Sequence, residues 1–529
     1  MLAKFASFIV DLKKSLVAST RVNYSQSHCV CCKLLSKQPS HNMTWEDFPV
    51  LTTIQSIRSC CYLIFCCVAW LAFAPKLWCA EPFENVTEAV GLNGMSGDVA
   101  AWGDFNSDGW VDFAAGGQLW KNDSGKRFER IADVSFAGAG IWGDVDNDGD
   151  LDFFCWGATG RVYRNQDGKT FEEIEAAVPE LPTKVSLGAT WGDFDGDGYL
   201  DLYVAGYEVW GKENYADAIL RNKGNGTFEE IWREQGNVQP GRGVTACDYD
   251  EDGDIDIYVS NYRLAPNFLW RNQGKGVFED VATESGTVGD GDLGAWGHTI
   301  GSSWGDFDND GHFDLFVGNF SHPPDYQDRP KFYKNLGPDK KFRFEDVSGA
   351  AGLHWQESYA SPSLADFDND GLLDVFFTTV YPGDKSVLYR NTGDWKFENV
   401  SAAAAVDMPQ TYQAAWADFN NDGYLDLLTG GKLFKNPGGN NRWLKVRLVG
   451  GKTKRDVGAQ VRVKLGDQLI TRQIDAATGQ GNQNESTLHF GLGQHNEPVA
   501  IEIRWPDGSS QQIAQAAIDR VLEVPSSAN

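Results

Sequence analysis

A short cycle of apolar and polar residues recurs along residues 81–440. An apolar run is followed by an acidic loop that contains Gly, and the loop by an alternating segment such as DLYVAG at 201–206. An aromatic–basic–Asn segment comes next, such as LWRN at 269–272, and then a turn and a segment of the form F-E-x-[IV], such as FEDV at 278–281. Alternation with period two between turn signals predicts four short β-strands per cycle, and no segment shows sustained helical periodicity.

The acidic loop occurs seven times, so the cycle is an internal repeat. Loops 1 to 7 begin at Asp104, Asp144, Asp193, Asp248, Asp306, Asp366 and Asp418. Four-stranded units repeated around an axis form a β-propeller. We therefore predict an all-β chain with a seven-bladed propeller over residues 81–440, followed by a small β-sandwich or barrel domain over residues 441–529.

The ends of the repeat region predict how the ring closes. The seventh cycle has no F-E-x-V strand after LFKN at 433–436, whereas PFENVT at 82–87 stands unused before the first cycle. An N-terminal strand that completes the seventh blade would leave no open sheet edge.

The repeated loop has the composition of a calcium site. Positions 1, 3, 5 and 9 of D-x-[DN]-x-D-G-x-x-D supply carboxylate or amide oxygens, and position 6 is always Gly. Hard oxygen ligands in this number suit Ca²⁺, which accepts about six to eight ligands in irregular geometry, better than Mg²⁺. An EF-hand is excluded because position 12 is never Glu and the flanking segments are predicted strands. A turn of Asp, Asn and Gly without metal is the alternative for a single copy, but it does not explain seven copies that all keep Asp at position 9.

We expect up to seven calcium ions, and the first and seventh loops, with Asn at position 3, are expected to bind more weakly. The predicted ligands are Asp104, Asn106, Asp108 and Asp112; Asp144, Asp146, Asp148 and Asp152; Asp193, Asp195, Asp197 and Asp201; Asp248, Asp250, Asp252 and Asp256; Asp306, Asp308, Asp310 and Asp314; Asp366, Asp368, Asp370 and Asp374; and Asp418, Asn420, Asp422 and Asp426.

The net charge of the chain follows from these loops. There are 46 Lys and Arg against 74 Asp and Glu, a formal net charge of −28. An acidic chain gains nothing from counterion release, so nucleic acid and anionic membrane surfaces are excluded as partners. The loop positions alone hold 26 Asp, so much of the acidity is metal-ligand charge in small clusters.

Residues 1–80 differ from the remainder. They hold eight of the ten Cys, and the apolar run Cys60–Ala74 follows Arg58 and precedes the small residue Ala80. That run is shorter than a bilayer span and is typical of a secretory signal, although a short membrane anchor is the alternative. We therefore predict that residues 1–80 are a signal region and that the protein is secreted or extracellular, or periplasmic or on the cell surface of a bacterium, with no stable membrane insertion afterwards. Cys155 and Cys247 are expected to be buried thiols.

Residues 441–529 are predicted to form a small β domain. Residues 458–475 alternate around a Gly-Asp turn, which predicts a hairpin. The polar segment Thr478–Glu485 is expected to be a solvated loop.

The repeats and the C-terminal domain resemble known families. The DFDxDGxxD loop before a short strand resembles the FG-GAP/VCBS repeat of integrin α-chain propellers. NRWLKVRLVG (441–450), LHFGLG (488–493) and IRWPDGSSQQI (503–513) resemble the ASPIC/UnbV domain. The combination is similar to the cartilage acidic protein family and its bacterial relatives. The resemblance implies a secreted calcium-binding protein linked with adhesion or matrix contact, and it supplies no catalytic residues.

A partner is expected on the face opposite the acidic loops. Connections of variable length on a rigid scaffold are the usual seat of binding, and Trp, Tyr and Arg dominate binding hot spots. Burial between blades is the alternative for each aromatic residue. The candidate residues are Tyr207, Trp210, Tyr262, Arg263, Trp296, His298, His322, Tyr326, His354 and Trp355.

These features favour a binding or adhesion module for an extracellular protein or glycan, without enzymatic activity. A lectin is one alternative. A calcium-dependent polysaccharide lyase or hydrolase is another, if His298, His322 and His354 converge with Asp325 or Glu357 as a general base would require.

Overall fold

A computed structural model describes residues 81–525, apart from 96–98, 158, 182, 210, 237, 290–295, 322–328, 355, 413 and 450–455. The predicted signal region, residues 1–80, lies outside the described residues. In the part of the chain that is described, no helix has the length and apolarity to cross a bilayer. The described residues form an all-β fold, as predicted.

Seven four-stranded antiparallel sheets, numbered 1 to 7, follow one another along the repeats. Sheets 1 to 3 consist of Ala100–Gly103, Asp112–Ala115, Gln118–Asn122 and Phe128–Ser135; of Gly140–Gly143, Asp152–Cys155, Arg161–Gln166 and Thr170–Glu173; and of Ala189–Gly192, Asp201–Val204, Ala218–Asn222 and Phe228–Arg233. Sheets 4 to 6 consist of Gly241–Cys247, Asp256–Asn261, Phe268–Asn272 and Phe278–Asp280; of His298–Gly305, Asp314–Phe320, Lys331–Asn335 and Phe344–Asp346; and of Pro362–Ala365, Asp374–Phe377, Val387–Asn391 and Phe397–Asn399. Sheet 7 consists of Ala414–Ala417, Asp426–Thr429, Lys432–Lys435 and Glu84–Asn85.

Few other elements interrupt the sheets. Glu208–Val209 and Glu213–Asn214 form a short extra hairpin after the second strand of sheet 3. Single helical turns follow the fourth strands of sheets 4 to 6, at Ala282–Ser285, Ser348–Ala351 and Ser401–Ala404, and a 3₁₀ turn lies at Pro338–Lys340.

The first strands of consecutive sheets are neighbours, and the first strand of sheet 7 lies beside that of sheet 1. Sheet 7 takes its fourth strand from the N-terminal segment, where Glu84 pairs with Lys435 and Asn85 with Phe434. This is the pairing that the unused PFENVT segment predicts.

An Asn at or next to the end of each third strand joins adjacent sheets. Its side-chain amide donates to the carbonyl oxygen at loop position 2 of the preceding sheet, over 2.7 to 3.0 Å. The pairs are Asn122 and Phe419, Asn165 and Phe105, Asn222 and Val145, Asn272 and Phe194, Asn335 and Tyr249, Asn391 and Phe307, and Asn436 and Phe367. These buried bonds explain the Asn of the aromatic–basic–Asn segment, for which the sequence alone suggests no role.

The Trp residues that precede the loops pack between sheets. Trp142 is buried, and its Nε1 donates to Ala101 O at 2.9 Å. A side chain at Gly103 would place Cβ 2.8 Å from the Trp142 ring, so the Gly of the W-G-D segment allows the close approach of the next sheet. Cys155 and Cys247 are buried free thiols, as predicted.

The tail consists of two packed sheets. One contains Arg442–Val449, Leu488–Gly493 and Val521–Pro525, and the other contains Gln460–Leu465, Gln468–Gln473, Val499–Arg504 and Ser510–Ala516. The predicted hairpin is confirmed, because Val461 pairs with Arg472 and Leu465 with Gln468 across the turn. Both sheets contribute to one apolar core.

The prediction that Thr478–Glu485 is a solvated loop is wrong. Residues 474–487, which we call the tail loop, lie against the first strands of the seven sheets, and Asn482 has no exposed surface. Gln483 N donates to Ala100 O, and Gln483 O accepts from Trp102 N, both at 3.0 Å.

The physical reason is the unpaired edge of each first strand. Each first strand is an edge strand of its sheet, so one row of its backbone N–H and C=O groups has no partner within the sheet. The tail loop supplies such partners through Gly479 N to Ser302 O at 2.8 Å and Glu485 N to Trp416 O at 3.1 Å. Most of its polar residues are therefore buried and hydrogen-bonded, and polarity alone does not distinguish such a segment from an exposed one.

Candidate functional site

Loops 2 to 6 each bring three carboxylates together. In every cluster one oxygen from each carboxylate lies within 4.8 Å of the others. The clusters are Asp144, Asp146 and Asp152; Asp193, Asp195 and Asp197; Asp248, Asp250 and Asp256; Asp306, Asp308 and Asp314; and Asp366, Asp368 and Asp374. The remaining predicted ligands of these loops, Asp148, Asp201, Asp252, Asp310 and Asp370, lie in the same loops.

The loop backbone fixes the carboxylate at position 1. Gly149 N donates to Asp144 Oδ2 at 3.0 Å, and Gly371 N donates to Asp366 Oδ2 at 2.9 Å. Both glycines have positive φ, at 104° and 96°, which explains Gly at position 6.

The carboxylate at position 9 begins the second strand and is buried. Asp152 Oδ1 accepts from Asn165 N at 2.8 Å, and Asp152 Oδ2 accepts from Val145 N at 3.0 Å. Burial raises the pKa of Asp152, and likewise that of Asp201, to about 8. Position 9 therefore holds the loop to the sheet whether or not the loop binds a metal.

The clusters fit a cation because they contain oxygens that the protein leaves unsatisfied. Asp146 Oδ1, Asp248 Oδ1, Asp250 Oδ1 and Asp308 Oδ1 are buried without a hydrogen-bond partner among the described residues. Burial raises the pKa of Asp248 to about 7 and of Asp250 to about 6. A buried carboxylate oxygen without a hydrogen-bond partner is costly, and a hard divalent cation would remove that cost.

Basic residues of the third strands approach the outer loop positions. Arg164 Nε lies 2.8 Å from Asp146 Oδ2, and Lys334 contacts both Asp308 and Asp310. Arg390 likewise contacts Asp368 and Asp370. The basic position of the aromatic–basic–Asn segment thus balances part of the loop charge, a role that the sequence motif alone does not reveal.

Loops 1 and 7, which carry Asn at position 3, differ from the other five. In loop 1, Asn106 Nδ2 donates to Asp112 Oδ2 at 3.3 Å, while Lys121 Nζ lies 3.4 Å from Asp108. Asp104 is held by Gly109 N at 2.8 Å. Among the described residues, neither loop forms a cluster of three carboxylates like those of loops 2 to 6.

In loop 7 a cation of the tail takes the position next to the first carboxylate. Lys445 Nζ lies 3.2 Å from Asp418 Oδ2 and 2.9 Å from Glu485 Oε1 of the tail loop. Asn420 Nδ2 donates to Asp422 Oδ2 at 2.8 Å, and Asp426 holds Phe419 N and Asn436 N. Loop 7 therefore fits a metal poorly, because an ammonium group already supplies its positive charge.

The tail covers the side of the sheets that carries the acidic loops. Arg447 Nη2 donates to Gly109 O of loop 1 at 3.3 Å, and Leu469 N donates to Asn309 O of loop 5 at 3.2 Å. Gly491 N donates to Asp366 Oδ2 of loop 6 at 3.1 Å.

Four of the predicted ligand-face residues come together. The Tyr262 ring lies 6.3 Å from the Tyr207 ring and 4.7 Å from the His298 ring, measured between centroids, and the Arg263 guanidinium lies 4.8 Å from the Tyr262 centroid. His298 is buried in this cluster. Arg242, which the sequence analysis did not predict, contacts the rings of Tyr207 and Tyr262.

The other predicted ligand-face residues are placed differently or lie outside the described residues. Trp296 is 37% exposed. His354 lines a separate cavity of about 520 Å³ with Arg329, Lys331 and Tyr359. Trp210, His322, Tyr326 and Trp355 lie outside the described residues, so the convergence of three histidines is not tested.

Comparison with known families matches both parts of the chain. FG-GAP-like repeats match residues 144–204, 209–259, 248–317, 306–377 and 366–429, a region that contains loops 2 to 7. The family described as ASPIC and UnbV matches residues 450–529.

Relatives with curated names agree with these families. Cartilage acidic protein 1 of Homo sapiens is 31% identical over 256 residues, which cover 43% of this chain and 36% of that protein. Cartilage acidic protein 1 of Xenopus tropicalis is 30% identical over 313 residues, which cover 54% of this chain and 45% of that protein. The chain thus spans less than half the length of these relatives.

A similar solved structure, described as BBS1N in complex with ARL6DN, soaked with lead, covers 68% of this chain and 98% of its own at 9% identity, with a TM-score of 0.41. At that distance it says nothing about a ligand. The two family matches are specific, and the repeats alone extend over more than half of the sequence. The chain belongs to the family of proteins built from FG-GAP-like repeats, and it carries an ASPIC and UnbV domain after them.

Proposed function

We propose that the protein is a secreted, calcium-binding module of adhesion type that binds an extracellular protein or glycan. Its seven sheets would be the blades of one closed propeller, and the partner would bind on the face opposite the acidic loops. The name of the relatives, cartilage acidic protein 1, supports an extracellular site for an acidic protein of this kind.

The main support for placing the partner on this face is the position of the tail. The tail packs on the acidic loops, and the tail loop lies among the first strands. A partner would therefore meet the opposite side, where Tyr207, Tyr262 and Arg263 cluster. Aromatic and Arg side chains of this kind dominate binding hot spots.

Calcium would serve the scaffold. We propose that loops 2 to 6 hold five ions, each bound by the carboxylates that cluster in its loop, and that loops 1 and 7 hold none. Bound calcium would neutralise the buried carboxylates and stabilise the folded state by mass action.

The metal proposal is tested by counting. Equilibrium dialysis of the purified protein against Ca²⁺, with the bound metal measured by atomic emission, should give five ions per chain. Seven ions would contradict the assignment of loops 1 and 7, and none would contradict the calcium proposal as a whole.

The binding proposal is tested against an enzymatic role in one experiment. The protein is screened for binding to extracellular matrix proteins and glycans, and the same glycans are assayed for release of reducing ends. Binding without release supports the module. Turnover that disappears in His298→Ala, His322→Ala or His354→Ala variants would instead support a lyase or hydrolase.

A further inference from the structure

We propose that Arg242 is the centre of an anion site that binds the carboxylate or sulfate groups of an acidic polysaccharide. This inference rests on the proposed function, because it names the chemistry of the partner on the face opposite the acidic loops.

Arg242 lies in the first strand of sheet 4, and its guanidinium lies against two aromatic rings. Its central carbon lies 5.6 Å from the Tyr207 centroid and 5.0 Å from the Tyr262 centroid. Arg242 keeps part of its surface exposed, whereas Tyr262 is buried. The rings therefore orient the guanidinium by cation–π contact.

The charge of Arg242 has no carboxylate partner in the described part of the chain. Its one side-chain hydrogen bond there runs from Nη2 to the neutral Gln480 Oε1 of the tail loop, at 3.1 Å. Arg242 Nε is buried and makes no hydrogen bond to a described residue.

The neighbouring residues add to this imbalance. Arg263 contacts the same Tyr262 ring, and Glu208 is ion-paired with Arg263 Nε at 2.6 Å. Arg242 thus keeps a charge that no described carboxylate pairs, in a protein whose net charge is −28. Burial of a cation without a counterion is costly, and such a cation is unexpected in a chain so rich in Asp and Glu. An anionic ligand completes the site.

The surroundings of Arg242 favour an acidic sugar chain over an acidic peptide. Tyr207 and Tyr381 are partly exposed and belong to one aromatic cluster with the buried Tyr262 and Phe320. The exposed Trp296 lies two residues before His298, whose ring contacts Tyr262. Aromatic rings offer flat apolar faces to sugar rings, while the planar guanidinium matches a carboxylate or sulfate with two parallel hydrogen bonds.

The experiment measures the affinity of the intact protein in Ca²⁺ buffer for three immobilised polysaccharides. Hyaluronan carries carboxylates, dextran sulfate carries sulfates, and dextran is neutral. We expect binding to at least one of the acidic chains and none to dextran. The acidic chain that binds identifies the anionic group.

Two substitutions then locate the site. Arg242→Gln should weaken binding about tenfold or more, and Arg242→Lys should weaken it to a smaller extent because the two parallel bonds are lost. Arg233→Gln is the control on the neighbouring sheet, since Arg233 is paired with Glu230 at the surface, and it should bind like the wild type.

Several results would overturn the proposal. The first is wild-type protein that binds neither acidic chain. The second is an Arg242→Gln variant that binds normally, and the third is an acidic peptide that competes at Arg242 where polysaccharides do not. The second and third results would leave the proposed binding module intact. If Arg242→Gln fails to fold, hydrogen exchange of the wild type decides: the acidic chain should protect segments around residues 207, 242 and 262, and protection elsewhere only would contradict the site.

Discussion

Lys445 of the tail and Asp418 of loop 7 form an ion pair that is almost fully buried. The Nζ to Oδ2 distance is 3.2 Å, and the two side chains are 1% and 0% exposed. Glu485 of the tail loop completes the arrangement at 2.9 Å. The positive charge of loop 7 is therefore built into the chain, and it fixes the tail to the sheets without a metal.

Replacement of Lys445 should destabilise the protein strongly. Lys445→Met leaves two buried carboxylates, Asp418 and Glu485, without their cation, which costs about 3–5 kcal/mol. Chemical unfolding at pH 7.5 measures the change. Lys435→Gln is the control, because Lys435 pairs with Asp422 at 3.6 Å on the surface, where a salt bridge contributes about 0–1 kcal/mol. Equal effects of the two substitutions would refute the role of the buried pair.

Calcium should stabilise the protein through loop 6 and not through loop 7. Asp370→Asn and Asp422→Asn change the same loop position, but only Asp370 belongs to a loop with a cluster of three carboxylates. We expect the rise in Tm on addition of Ca²⁺ to shrink in Asp370→Asn and to stay unchanged in Asp422→Asn. Thermal melts with EGTA, with Ca²⁺ and with Mg²⁺ check this. If EGTA does not change the Tm of the wild type, the prediction that calcium stabilises the protein is wrong.

The sequence predicts the sheets well because each depends on a local pattern. The alternation of DLYVAG and the turn at Gly198 are read within one repeat. The pairing of Glu84 with Lys435 follows from comparing repeats, because the seventh lacks the F-E-x-V segment that stands unused before the first. The loop carboxylates are predictable for the same reason. Asn106 and Asn420 even distinguish loops 1 and 7 in advance.

Contacts between the repeats and the tail are not predictable in this way. Lys445 and Asp418 lie 27 residues apart, and Gln483 meets Trp142 across 341 residues. Nothing local marks a buried Lys, and the polar composition of Thr478–Glu485 is the same whether its partners are water or the edges of first strands. The sequence does not predict the position of Arg242 for a related reason, since Tyr207 and Tyr262, which it contacts, follow strands of two different sheets.

The tail loop should tolerate no side chain at Gly479. Its φ is +62°, and a Cβ there would lie 2.0 Å from Ser361 Oγ and 2.8 Å from the backbone oxygen of Pro362. Gly479→Ala should therefore lower the Tm by several degrees, since strain and displacement of the loop break its bonds to the first strands. Gly466→Ala is matched in φ, at +64°, but has open space around its Cβ, so it reports the backbone effect alone. If both variants melt together, the tail loop contributes nothing to stability through this contact.

Acid should weaken the contact between tail and sheets through His489. Its Nε2 lies 3.1 Å from Gly423 O, its Nδ1 is buried without a hydrogen-bond partner among the described residues, and burial lowers its pKa to about 3. Lys445 and Arg472 nearby also disfavour the imidazolium. Because the unfolded chain protonates this His at about pH 6.5 while the folded protein does not, its contribution to stability is complete above that pH and declines as the pH falls towards 3.

His489→Gln removes this proton linkage, and all other acid effects are shared with the wild type. Between pH 7.5 and 5.0 the free energy of unfolding should thus fall by about 2 kcal/mol more in the wild type than in His489→Gln. Urea unfolding of both proteins at the two pH values measures the difference, and an equal loss in both would show that His489 is protonated in the folded state.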